Sequence, residues 1–106
     1  MSRTSQTDPE LDRLIEEITV DCHDEEEVLH AFENAFDEEG CFPIPATIID
    51  EQIEVLSIGT INGRRELIAS CQRAEHHHDV ALLDLDIDAS HPASRLLAAY
   101  RRWLGA

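Results

Sequence analysis

Lysine is absent from this 106-residue chain, and all eight basic residues are arginine. Long apolar runs are absent as well. None approaches the roughly 18–20 residues that a helical membrane span requires, and MSRTSQTDPE at the start lacks the apolar core of a secretory signal. Cysteine is scarce and odd in number, with Cys22, Cys41 and Cys71 at no paired spacing. A disulfide scaffold needs an even set, so the sequence predicts reduced thiols and a cytoplasmic protein. No glycine-rich phosphate loop and no nucleophile elbow occur. Cys22-His23 is adjacent in sequence and does not form a catalytic dyad. The chain reads as a non-enzyme.

What is abundant is carboxylate. Asp and Glu number 23 against those eight arginines, a formal charge of −15. Such a field repels nucleic acid and anionic membranes and attracts cations or a basic protein partner. The same composition also describes the surface of a salt-adapted protein, so the placement of the charge carries the argument.

The length fits one domain. Residues 1–7 read as a polar arm, and residues 8–106 as a single α+β domain. Asp8-Pro9-Glu10 opens a helix with Asp8 as cap and Leu11, Leu14, Ile15 and Ile18 at helical spacing. Ile18-Thr19-Val20 is expected to turn into a short strand. Asp24 with Glu27 forms a capping pair, and Val28, Leu29, Phe32, Ala35 and Phe36 share one stripe, predicting an amphipathic helix over 25–37 ended by Gly40. Pro43 and Pro45 enforce an extended entry.

From Ile48 to Ile87 the pattern is β. Asn62-Gly63 is a favoured two-residue hairpin turn between a strand through Ile53–Thr60 and a partner over 66–73. His76-His77-His78-Asp79 reads as a further connection, and Val80–Ile87 as another strand. Short strands with tight turns predict a small curled antiparallel sheet or partly open barrel. Pro92 opens a final helix with Leu96, Leu97, Tyr100, Trp103 and Leu104 on one face and Arg95, Arg101 and Arg102 on the other.

One placement breaks a local rule. Asp37-Glu38-Glu39 falls at the C-terminal end of the second helix, where the dipole is negative and each carboxylate costs about 0.3–1 kcal/mol at low salt. No arginine lies between Arg13 and Arg64 to neutralise them. A bound cation is the natural compensator; a solvated, counterion-screened turn is the alternative. Further on, acids 84, 86 and 88 alternate with apolar 83, 85 and 87. On a strand this puts three carboxylates on one face, about 6–7 Å apart. It is not an EF-hand: position six of such a loop would be Ala89 instead of Gly, and position twelve Arg95 instead of Glu. The three consecutive histidines, even with Cys71 or His91, lack the spacing of a transition-metal site, and at most two of them converge on a strand. A metal at His76 and His78 is therefore not expected.

The order of these segments resembles a known family. Ile18-Thr19-Val20-Asp21-Cys22, the Asp24-Glu25-Glu26-Glu27 helix start, Asp37-Glu38, Phe42-Pro43, Glu54-Val55-Leu56, the Val80-Ala81-Leu82-Leu83 stretch ending in Asp86 and a closing helix with Trp are similar to the cyanobacterial-type calcium-binding protein family, CcbP. Actinobacterial relatives of unknown role share the Phe-Pro, Arg-Arg and Ala-Leu words. The resemblance implies calcium binding without EF-hands on a small SH3-like barrel with flanking helices. Carried over by position, it implies Asp37, Glu38 and Asp86 as ligands; Glu39 and Asp84, from the acidic clusters themselves, are weaker candidates. An acidic interaction module without a specific metal site is the alternative function.

Overall fold

The computed structural model describes residues 9–60 and 66–105. The predicted cap Asp8 and the Asn62-Gly63 turn lie outside the described residues. The chain runs through helix α1 (Pro9–Thr19), helix α2 (Glu25–Glu39), strands β1 (Ile44–Ile48), β2 (Glu51–Thr60), β3 (Leu67–Arg73) and β4 (His76–Ala81), a 3₁₀ turn at Leu82–Asp84, strand β5 (Asp86–Ile87) and helix α3 (Ala93–Leu104).

The expected strand at Ile18–Val20 does not form. Ile18 packs in helical register with Leu11, Leu14 and Ile15 against the core, and the Thr19 hydroxyl donates back to the Ile15 carbonyl at 2.8 Å. That hydrogen bond holds Thr19 in the helix. Val20 is left in a turn, 75% exposed.

Helix α2 starts as its sequence dictates. Asp24 Oδ1 accepts from the Glu27 amide at 2.9 Å, while Glu27 reaches back to accept from the His23 amide. The helix ends at Gly40 as expected, its last residue Glu39 lying two beyond 37. Gly40 is still right-handed, with φ −72°, and donates to the Phe36 carbonyl, whereas Cys41 takes the left-handed conformation at φ 57°. The glycine is needed for space: a Cβ there would run into the Phe36 carbonyl oxygen.

All strand pairs are antiparallel in the order β4-β3-β2-β1-β5. In a flat sheet the edge strands β4 and β5 would stand about 19 Å apart. Only Leu82–Leu85 separates them in the chain, and a 3₁₀ turn advances about 2 Å per residue. The sheet must therefore curl until its edges approach. No ladder joins β4 to β5 among the described residues, so the barrel stays open. A bulge between Val55 and Ser57 shifts the pleat, placing both Val55 and Ile58 inward, opposite Cys71 and Ala69.

The expected strand over Val80–Ile87 is broken by that 3₁₀ turn. Leu82 and Leu85 are both fully buried, and a three-residue repeat points both inward where a two-residue repeat would point one out. The histidine run, expected as a connection, belongs to β4; the connection is Ala74-Glu75, with Ala74 at φ 55°. The hairpin joining β1 to β2, unread in the sequence, turns on Ile49 and Asp50, both at positive φ (47° and 64°). A β-branched residue is rare there.

The core gathers Phe32 and Phe36 of α2, Ile44, Val55 and Leu67 of the sheet, and Leu82, Leu85 and Tyr100. Tyr100 is buried, and its hydroxyl accepts the Leu67 amide at 2.8 Å. Tyr100→Phe removes the acceptor and strands a buried N–H, so it should cost about 1–3 kcal/mol in denaturant unfolding with little change in the slope against denaturant.

Candidate functional site

Glu33 and Asp37 are four residues apart on α2 and so share a face of the helix. That face meets the side of the sheet carrying Ser57, Gly59, Ser70 and Asp79, which the register places together. Gly59 permits the approach: a Cβ there would lie 3.1 Å from Glu33 Oε2. The other carboxylate oxygen of Glu33 sits 3.3 Å from His30 Nδ1. Across the floor, the Ser70 hydroxyl donates to Asp79 Oδ1 at 3.1 Å. Glu33, Asp37 and Asp79 thus line one groove of about 400 Å³, with the hydroxyls of Ser57, Thr60 and Ser70 between them. Carboxylate and hydroxyl oxygens are hard donors, matched to a hard cation such as calcium.

Of the sequence-predicted acids, Asp37 alone lines this groove. Glu38 and Glu39 are exposed at the same helix end. Asp37, Glu38 and Glu39 have no basic partner among the described residues, so no described side chain offsets the unfavourable dipole placement. Asp84 is exposed on the 3₁₀ turn.

Asp86 lies on β5 opposite Thr47, 3.7 Å from Arg101, and with Asp88 and Glu54 lines a separate groove of about 560 Å³. The expected three-carboxylate face at 84, 86 and 88 is therefore dissolved. Asp84 is in the turn, Asp86 in the strand, and Asp88 beyond it accepts from the amide and hydroxyl of Ser90, hydrogen bonds that hold its carboxyl below the usual range. Among the described residues, no three His, Cys, Asp or Glu side chains are grouped closely enough to hold a metal ion.

Sequence reasoning missed Glu33 and Asp79. Glu33 was legible as the residue one turn before Asp37. Asp79 was not, because the sheet brings it in across two strands. The cysteines are free. Cys71 is buried on β3, and burial pushes its thiol up to about 11, so it stays protonated. Among the described residues no helix is long and apolar enough to cross a membrane.

No family profile and no curated protein matches the chain. Two solved structures do. The crystal structure of Anabaena CcbP is 22% identical, covering 92% of this chain and 91% of its own, with a TM-score of 0.76. A calcium binding protein solved in its calcium-binding form is 21% identical, covering 98% of this chain and 96% of its own, also at 0.76. These three helices on a curled five-stranded antiparallel sheet are the fold of those proteins over nearly the whole chain: in architecture, this protein is CcbP-like.

Proposed function

We propose that this chain is a calcium-binding protein without EF-hands, a buffer or sensor that catalyses no reaction and works in the cytoplasm, where its thiols stay reduced. The reading is supported above all by the whole-chain likeness to a calcium binding protein solved in its calcium-binding form. In the present chain we assign the ion to the oxygen-lined groove under α2, whose three acids must draw closer before they can share it. Asp37, Glu33 and Asp79 supply charge, and Glu38 and Glu39, exposed at the same helix end, add to the local field. Calcium would relieve the repulsion among carboxylates at a helix end of the wrong polarity, and draw α2 and the sheet into a closer junction. Asp86 is engaged by Arg101 and Asp84 stands apart, so they contribute less.

Calorimetric titration of the chelator-treated chain in moderate salt tests this, with magnesium as a parallel titrant. Saturable calcium binding is expected. Asp37→Asn combined with Asp79→Asn should weaken it about tenfold or more, whereas Asp84→Asn with Asp86→Asn should leave it nearly unchanged. At a hundredfold excess over the dissociation constant the ion should add about 2.7 kcal/mol of stability. Absence of saturation at millimolar calcium would refute calcium binding and favour an acidic module for a basic protein partner. Loss confined to the Asp84/Asp86 pair would move the site to β5.

A further inference from the structure

We propose that His76 and His78 form a two-histidine chelating site for a borderline first-row dication, of the class zinc, nickel or copper(II), on the opposite side of the sheet from the acidic groove. The inference rests on the placement of the histidine run in β4, where residues two apart share a face. His76 and His78 are exposed, and their ring centres are 6.3 Å apart with planes tilted by 35°. A metal about 2.0–2.1 Å from one nitrogen of each ring, at a tetrahedral angle, would set those centres about 5 Å apart. Closing the remaining gap of about 1 Å needs only small side-chain rotations, which two exposed histidines can make.

His77 points to the other side, with Asp79, and cannot join them. The register sets His76 opposite Arg73 and His78 opposite Cys71. The Arg73 guanidinium is held by Glu51 at 2.8 Å, which offsets the positive charge nearest the pair. Cys71 is buried with its sulfur toward the Ala69 carbonyl, so it is no ligand. Two imidazoles with water in the remaining positions make the coordination set. Imidazole nitrogen suits zinc, nickel and copper, while calcium takes oxygen, so the two sites differ in chemistry as well as in place. His78 also lines an apolar groove of about 340 Å³ with Ile49, Ile53 and Val80, so the metal would sit at the edge of a cleft.

The test is titration of the full chain with nickel chloride and with zinc chloride at neutral pH in millimolar calcium. Both calorimetry and the imidazole proton signals are followed. One equivalent should saturate, and nickel should broaden His76 and His78 before His23, His30 or His91. His76→Gln or His78→Gln should weaken binding about tenfold or more, the scale on which metal sites respond to lost support, and His77→Gln less than about twofold. Equal losses from all three substitutions would overturn the proposal in favour of an adventitious ion on exposed imidazoles. So would broadening without saturation. Loss of nickel binding in Asp37→Asn with Asp79→Asn would overturn it by assigning the metal to the acidic groove, whereas failure of calcium binding alone would leave it standing.

Discussion

Replacing Phe32 by alanine is expected to lower the unfolding free energy by about 3–5 kcal/mol, the range for removing a large buried aromatic ring. The ring is wholly buried. It meets Tyr100 edge-to-face at 5.5 Å between centroids and Trp103 at 5.8 Å, so it joins α2 to α3. Each aromatic pair adds about 0.5–1.5 kcal/mol beyond the area buried. Domains of this size are stable by only about 5–15 kcal/mol, and the variant would approach the edge of folding. Trp103, the chain's single tryptophan, reports the transition by fluorescence in urea. Phe32→Leu keeps most of the apolar volume and should cost clearly less. Equal losses in the two variants would mean that the aromatic pairing contributes and the filled volume does not.

Arg101→Leu is expected to cost about 2–3 kcal/mol, although Arg101 is a residue of α3 that reads as surface charge. One guanidinium nitrogen donates to the carbonyls of both Leu83 and Leu85, the backbone that carries the chain from one edge of the sheet to the other. Hydrogen bonds to a charged donor contribute about 1.5–3 kcal/mol, and these carbonyls lie on the wall of the core between buried leucines. The neighbouring carboxylate matters much less. Asp86 is 79% exposed and 3.7 Å away, a geometry worth under about 1 kcal/mol. Asp86→Asn should therefore be nearly silent in thermal unfolding where Arg101→Leu is not. If the two substitutions cost the same, the ion pair holds this link and the carbonyls do not.

The neighbouring ion pairs follow the same logic at smaller scale. Arg102 grips Asp12 with Nε to Oδ1 at 2.6 Å and a second nitrogen to Oδ2 at 3.2 Å, and this hydrogen bond holds the Asp12 carboxyl below its usual range. Together with Arg95 near Glu10 at 3.8 Å, it pins α1 onto α3. Arginines of the last helix are thus used on α1 and on the 3₁₀ link, and none of them reaches the acids at the end of α2.

Much of the fold was legible because its signals are local. The stripe Val28, Leu29, Phe32, Ala35, Phe36 specifies a helix face, Asp24 and Glu27 specify where it begins, and the arginines after Leu97 suit a helix end. Alternation through Ile53 and Val55 announces a strand. The misses occurred where two local readings competed. Ile18-Thr19-Val20 has strand-forming residues, but Ile18 gains more by packing in helical register. Leu83, Leu85 and Ile87 alternate with acids as an edge strand would, yet the pair that reaches the core is Leu82 and Leu85, through a 3₁₀ turn. Ile49-Asp50 puts a β-branched residue in front of its one usual turn residue, and the pairing of β1 with β2 imposes positive φ on both nonetheless.

By itself, then, the chain's order of residues determined three helices, a curled antiparallel sheet and a helix tail crowded with carboxylates, since periodicity, caps and charge spacing act within a few residues. Which acids share a groove was decided only when the sheet curled and α2 lay against it. Register across three strands carried Asp79 toward Asp37, turned His76 and His78 to one side, and dispersed the 84, 86, 88 series. Side chains forty residues apart meet through backbone pairing, and nothing in their local sequence encodes that meeting.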